Sequence, residues 1–185
     1  MKLDDDKELV RQVLNGNTDS FNIIVNKYEI TILKIVYNMI RNKEAAEDIT
    51  QEVFITAYNK LYMYIDKYKL SNWLIQIAKN KTIDYIRKYK KVYEANIDDF
   101  YDMASKEEGP DSIAEFNETR TVIGNFINTL DETEKDILIL RYSGERSFGD
   151  ISQILNLNES MVKRKYYNLR ERFMSYRKSS RVKEG

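Results

Sequence analysis

The chain has 185 residues, enough for one ordinary domain or two small ones, and its 30 basic and 30 acidic residues leave no formal net charge. It has no His and no Cys, which excludes disulfide frameworks, thiol nucleophiles, serine triads and His- or Cys-ligated metals; an enzyme would have to work with carboxylates, Lys or Tyr. There is no signal peptide and no apolar run near the roughly 18 residues of a membrane span, so a soluble, cytoplasmic protein with no membrane insertion of its own is expected.

A single Pro and six Gly stand among many long straight-chain residues, and nothing alternates with period two over a useful length, which predicts an all-helical fold. The stretch "DDDKELVRQVLNGN" reads as a short leading helix ending at Gly16. A longer helix, capped by Asp19 or Ser20, places Phe21, Ile24, Val25, Tyr28, Ile32, Leu33, Val36 and Met39 on one stripe. The next runs from near Lys43 to about Tyr62. It sets Ala46, Ile49, Val53 and Ala57 in one buried stripe and leaves Glu44, Glu47, Asp48, Gln51 and Ile55 on the far side. Ser71 or Asn72 is expected to cap a further helix, "WLIQIAKNKTIDYIRKYKK", on which Trp73, Asn80, Asp84, Arg87 and Lys91 share a face.

Residues 93–118 are acidic apart from Lys106, weakly periodic, and hold the sole proline, Pro110, after Gly109; this is a linker composition. Helices resume near Arg120. Asp131 with Glu134 forms a capping-box pattern ahead of "ETEKDILILRY", and Ser147 caps "FGDISQIL". After a tight "NLN", Asn158 caps a final helix of about five turns. The expected layout is two small helical domains, 1–92 and 120–178, joined by a flexible acidic linker over 93–119 and followed by a basic tail over 179–185.

Charge is arranged along the chain as basic, acidic, basic. Residues 79–91 carry six Lys or Arg against Asp84 alone, and residues 163–183 are basic except for Glu171, which points to two polyanion-facing surfaces. Two short helices joined by a tight turn, the second strongly basic, have the form of a helix-turn-helix whose second helix enters the DNA major groove. On that helix Val162, Tyr166, Leu169 and Phe173 form a core face. Ser160, Arg164 and Tyr167 lie opposite, flanked by Lys163 and Asn168. Arg164 suits a bidentate contact to guanine, Asn168 suits adenine, and Lys163 and Lys165 suit phosphate.

The face carrying Ile55 admits three readings. It could be a solvated helix face, a carboxylate metal site using Glu44 and Asp48, or a docking surface with an apolar anchor; only the last accounts for both the charges and Ile55. On the helix that carries Trp73, Asn80, Asp84, Arg87 and Lys91, the residues Lys79, Lys81, Lys88 and Lys90 widen the basic surface. Tyr62, Tyr64 and Tyr68 read either as stacking platforms for single-stranded nucleic acid or as amphipathic packing residues.

The segments "AEDITQEVF", "SNWLIQIAKNKTIDYIRK" and "SFGDISQILNLNESMVKRKYYNLRERF" resemble, in order and spacing, three signature segments of bacterial RNA polymerase sigma factors of the extracytoplasmic-function, group IV, type, with the likeness running from about Asn17 to Arg177. The resemblance implies a subunit without catalytic residues, cofactor or metal. Its first domain would bind the clamp helices of core RNA polymerase and open promoter DNA near minus ten. Its second would lie near the polymerase flap and read the minus-thirty-five element as duplex. Glu47, Asp48, Gln51, Glu52, Phe54 and Ile55 match the polymerase-binding segment, with Ile55 as anchor. Trp73, Asn80, Asp84, Arg87, Lys88 and Lys91 match the segment that handles the single-stranded minus-ten DNA, and the preceding loop with Tyr62, Tyr64 and Tyr68 would take a flipped base. The linker would thread the polymerase channel as a nucleic-acid mimic. A cognate anti-sigma factor, often membrane-bound in this family, would cover these faces.

The chain departs from the family pattern in places. Met161, Val162, Lys163, Arg164 and Lys165 replace the usual Thr-Val-Lys-Ser-Arg, and Asn168 stands where Arg is usual, so the family's minus-thirty-five preference does not transfer. Asp150 replaces the usual Glu before the Ile, a change expected to alter little. A stand-alone helix-turn-helix regulator explains residues 131–177 equally well but not the Ile55 face. A carboxylate-dependent nuclease would have to use Glu44, Asp48 and Glu52 with a metal.

Overall fold

Residues 3–89 and 121–182 are described by a computed structural model, and every regular element among them is a helix. The first half holds α1 (Leu3–Leu14), α2 (Asp19–Ile40), α3 (Lys43–Lys60) with a one-turn 3-10 extension over Leu61–Met63, and α4 (Leu70–Lys88). The second holds α5 (121–128), α6 (Glu132–Tyr142), α7 (Phe148–Leu155) and α8 (Glu159–Val182). The linker expected over 93–119, and Lys90 and Lys91, lie outside the described residues.

The helix ends follow local chemistry. Gly16 turns the chain out of α1 at φ +96°, a conformation that side chains beyond glycine rarely adopt. The Asn42 side chain accepts from the Ala45 N–H at 2.8 Å and starts α3. The expected capping box is present: Asp131 Oδ1 accepts from the Glu134 N–H at 2.7 Å, while Glu134 Oε2 accepts from the Asp131 N–H at 3.1 Å. Ser147 caps α7, with its Oγ accepting from the Asp150 N–H at 3.1 Å. Asn158 caps α8, with its Oδ1 accepting from the Ser160 N–H at 2.8 Å. At 24 residues, α8 is longer than the expected five turns.

The start of α4 departs from expectation. Lys69, with no side-chain capping bond, occupies the N-cap, and Ser71 and Asn72 lie buried in the first turn. Their side chains are taken by partners in the second half: Arg146 Nη1 donates to Ser71 Oγ at 3.2 Å and Asn72 Nδ2 donates to Asp150 Oδ1 at 2.9 Å. A hydroxyl or amide engaged across a tertiary contact is no longer available to its own helix start.

α2 lies at the centre of the first half, with Ile24, Ile32, Ile35 and Val36 all but inaccessible, and α3 and α4 pack on it through Val53, Leu74 and Ile75. α1 is pinned by Asp6, which accepts from Tyr28 at 2.6 Å and pairs with Lys27. Burial, then the bond to Asp6, pushes the Tyr28 hydroxyl far above its ordinary range. The same apolar cluster continues into Ile137, Leu140, Ile151, Ile154 and Val162 of α6, α7 and α8. The two halves therefore meet through one continuous apolar cluster. Each fully buried Ile contributes about 1.5–3 kcal/mol. A smaller cluster of Phe126, Leu130 and Leu169 ties α5 to α8.

Candidate functional site

The first surface is the outer face of α3. Ala46, Ile49, Thr50, Val53 and Ala57 turn inward, while Glu44, Glu47, Asp48, Gln51, Glu52 and Ile55 are exposed. Ile55 is 62% exposed, an uncovered aliphatic side chain among carboxylates and an amide. Phe54 leaves this group: it is 6% exposed and belongs to the core, because the buried stripe of a helix packed against both α2 and α4 is wide enough to reach it. Glu52 pairs with Lys81 of α4 at 3.0 Å and Glu47 lies 3.9 Å from Lys43. Glu44, Asp48 and Glu52 share their cleft with Lys81 and Lys88, whose charges oppose a bound cation. Among the described residues no group of three or more acidic side chains is placed to hold a metal.

The second surface is α4 with the loop before it. Half-buried Trp73 packs on Tyr64, ring centroids 5.6 Å apart, and the Tyr64 hydroxyl donates to the Tyr68 carbonyl. Burial, and then the nearby Asp6 and Asp66 carboxylates, push the Tyr64 hydroxyl up to about 12, so it stays a neutral donor that braces the loop. Tyr62 and Tyr68, 73% and 43% exposed, leave their rings open to a stacking partner. Asn80, Asp84, Arg87 and Lys88 are exposed along the helix, with a loose 3.9 Å pair between Asp84 and Arg87. Lys79 and Lys81 do not widen this basic surface as expected: Lys79 pairs with Asp136 at 2.9 Å and Lys81 with Glu52.

The third surface is the helix-turn-helix of α7 and α8, with Asn156 in the left-handed region at φ 53°. Val162, Tyr166 and Leu169 are buried, while Ser160, Lys163, Arg164, Tyr167 and Asn168 face outward. Lys163 pairs with Glu159 one turn back at 2.7 Å, which raises its ammonium above the usual value. Lys165 is half-buried and bonded to Asp131 at 3.1 Å, so it braces α8 to the start of α6 and is not a free phosphate contact. That bond adds to the backbone N–H of Glu134 in holding the Asp131 carboxyl below its ordinary range. Arg164 makes no ion pair among the described residues. The Tyr167 ring is held 5.5 Å from Tyr166 and 6.1 Å from Phe148, presenting a supported aromatic edge.

A fourth feature has no counterpart in the sequence reading: a polar seam between α4 and α7. Asp150 is 8% exposed and accepts from Lys69 Nζ, Asn72 Nδ2 and Ser147 Oγ at 2.8, 2.9 and 2.7 Å. Burial alone would raise its carboxyl. These donors outweigh burial and hold it down to about 2. Asn72 Nδ2 also donates to Gln153 Oε1 at 2.9 Å, leaving Asn72 Oδ1 buried without a partner. Rotating the amide would set its oxygen against two acceptors, so the orientation is fixed by the network. An orphaned carbonyl of this kind costs about 1–3 kcal/mol. The signal in the sequence was Asp150 itself. A Glu there would reach back to the N-cap N–H, whereas the shorter Asp leaves its carboxylate to α4, so the substitution expected to alter little places a charge on the seam.

The sequence matches the family described as Sigma-70 region 2 over residues 24–92, and the family described as Protein of unknown function (DUF722) over residues 71–175. It is similar to the ECF RNA polymerase sigma factor SigW of Bacillus subtilis (strain 168), 32% identical over 173 residues that cover 89% of this chain and 92% of the relative. It is also similar to SigM of the same organism, 31% identical over 149 residues covering 80% of this chain and 90% of the relative. In three dimensions it resembles CnrH, solved in complex with the cytosolic domain of CnrY, at TM-score 0.67 and 16% identity, covering 95% of this chain and 98% of that one. The sigma factor RpoE, solved with the anti-sigma factor NepR from Bartonella quintana, gives 0.60 and 17% over 87% of this chain and 98% of that one.

Proposed function

We propose a residue-level division of labour for this chain, which belongs to the extracytoplasmic-function RNA polymerase sigma factors. It is an alternative sigma factor: it binds core RNA polymerase and directs it to the promoters of a specific set of genes. The observation that carries this reading is the reach of the likeness, 89% of the chain, which takes in the α3 face as well as the helix-turn-helix. A stand-alone regulator would need only the latter.

In our reading residues 1–92 form the polymerase-binding and minus-ten unit, 93–119 the connector, and 120–178 the minus-thirty-five unit. Ile55 is the apolar anchor on the polymerase clamp helices, ringed by Glu47, Asp48, Gln51 and Glu52, with Phe54 supporting it from the core. Tyr62, Tyr68 and Trp73 receive unstacked bases while Asn80, Arg87 and Lys88 follow the strand. Arg164 and Asn168 read base edges, and Ser160, Lys163 and Tyr167 contact the backbone around them.

The chain performs no catalysis of its own, since nucleotide addition belongs to the polymerase. No helix among the described residues is long and apolar enough to cross a membrane, and we place its work in the bacterial cytoplasm. A cognate anti-sigma factor, membrane-bound or free, covers these same faces, as one holds the RpoE relative. Gel filtration of the chain with purified core RNA polymerase tests the docking step: co-elution is expected, and separate elution would overturn it.

A further inference from the structure

We propose that α1 braces the minus-ten loop and that Asp6 is the positioning residue of that brace. It fixes how α1 lies against residues 61–69 and so sets the arrangement of rings that receives an unstacked base. This rests on the sigma-factor reading for what the loop receives, but not for the brace itself.

α1 carries none of the residues assigned to polymerase or DNA, yet its inner side holds more than packing requires. Val10 is buried, and Leu9 and Val13 pack on the apolar cluster, which is enough to seat a short amphipathic helix. Asp6 adds a buried carboxylate to that contact. It takes two partners from α2: the Tyr28 hydroxyl donates to Oδ2 at 2.6 Å, and the Lys27 ammonium pairs with Oδ1. Lys27 in turn lies 5.2 Å from the centroid of the Tyr28 ring. A buried charge pair is a poor source of stability beside an apolar contact of the same size. Its directed bonds, however, hold one orientation where a purely apolar face allows several.

That orientation turns α1 toward the loop. The helix touches the 3-10 turn over Leu61–Met63, and Lys7, next to Asp6, lies 3.7 Å from Asp66 in the loop. Both ends of that pair are exposed, so it contributes little stability and acts on position. The Tyr64 hydroxyl lies in the field of Asp6, whose charge is second only to burial in raising it. Tyr64 is the strut of the loop: its hydroxyl donates to the Tyr68 carbonyl, and its ring lies 5.6 Å from that of Trp73. Two backbone turn bonds, from Tyr64 to Leu61 and from Tyr68 to Ile65, shape the rest, while residues 65–69 stay exposed. A loop so lightly tied takes its shape from what it leans on, and α1 is what it leans on. Stacking a base depends on where the rings of Tyr68 and Trp73 stand, so a shift of α1 reaches the bound strand through Tyr64.

The chain has a single Trp, so the fluorescence of Trp73 reports on the loop without labels. With the fold checked by circular dichroism, Asp6→Ala should raise acrylamide quenching of Trp73 in the full chain at least twofold. Asp6→Asn, which keeps an oxygen for Tyr28, should raise it less. Lys7→Glu sets like charges against Asp66 and should act in the same direction, and Lys7→Glu combined with Asp66→Lys should return quenching to the wild-type value. These two positions are exposed, so a folding failure of Asp6→Ala leaves the test standing. The consequence is read by selection from a randomised 12-nucleotide single-stranded DNA, using the chain bound to Bacillus subtilis core RNA polymerase. Preference at the most strongly selected base should relax at least threefold in Asp6→Ala and Lys7→Glu and recover in the charge swap, with co-elution with polymerase unchanged. Unchanged quenching in the folded variants, or a uniform loss of affinity with base preference intact, would overturn the brace. If quenching responds as expected but the wild-type chain selects no sequence, the minus-ten reading falls and the brace stands. If the wild-type chain selects a sequence and quenching does not respond, the brace alone falls.

Discussion

The Lys79 ammonium of α4 lies 2.9 Å from the Asp136 carboxylate of α6, with the two side chains only 21% and 15% exposed, so a charge pair bridges the two halves of the chain. Burial pushes the Asp136 carboxyl above its ordinary range, and Lys79 pulls it back only in part. The ionised form is thus disfavoured by folding, and protonation as pH falls through the folded value relieves it. Lys79→Met, which leaves a buried carboxylate alone, should cost about 1–3 kcal/mol in urea unfolding at pH 7, and the loss should shrink on acidification. Asp136→Asn should cost less, because the long Lys79 side chain can reach water. The reverse ranking would contradict the assignment.

Ile55 is exposed, so Ile55→Glu should shift unfolding by no more than about 0.5 kcal/mol. The same change buries a charge at the centre of the proposed docking face. Binding to core polymerase, followed by fluorescence anisotropy, should weaken at least tenfold, consistent with about 2 kcal/mol for an interface anchor. Unaltered binding by the folded variant would remove Ile55 from the interface.

On α8, Arg164 and Lys163 should separate by kind of contact. Arg164→Ala should weaken duplex promoter binding by about 1–3 kcal/mol and relax preference at one base position. Lys163→Ala should weaken all sequences alike and reduce the salt dependence by about one phosphate contact. Equal loss across sequences for Arg164→Ala would make it a backbone contact.

The Asp150 carboxyl is held at about 2 against an ordinary 3.8. A depressed folded value means stability that is present above the ordinary value and lost as pH falls toward the folded one. The stability difference between wild type and Asp150→Ala should therefore be flat from pH 7 to about 5 and shrink between about 4 and 2. A difference independent of pH across that range would show that the carboxylate is not ionised on the seam.

Local signals and tertiary ones differed in how far they could be read. The Asp131 and Glu134 capping box, the Ser147 and Asn158 caps and the exposure of Ile55 follow from spacing alone, because each depends on residues within a turn or two. Ser71 and Asn72 have the chemistry of caps, but Arg146 and Asp150, more than 70 residues away, claim their side chains. Lys165 has the look of a free phosphate ligand until α6 brings Asp131 within 3.1 Å of it. Periodicity assigns a residue to a face of its helix; it does not name the element that face meets. The same holds for Ile137 and Ile151, whose helix stripes meet the cluster of Ile24 and Leu74 in the first half.

The most direct test of the account is in vitro transcription with purified core RNA polymerase on a library of genomic promoter fragments, with and without the chain. Start-site-specific transcripts that depend on the chain are expected, and their shared upstream sequences would give its minus-ten and minus-thirty-five elements together. Specific binding of duplex DNA with no dependent transcript would contradict the account and leave a helix-turn-helix regulator that acts without polymerase.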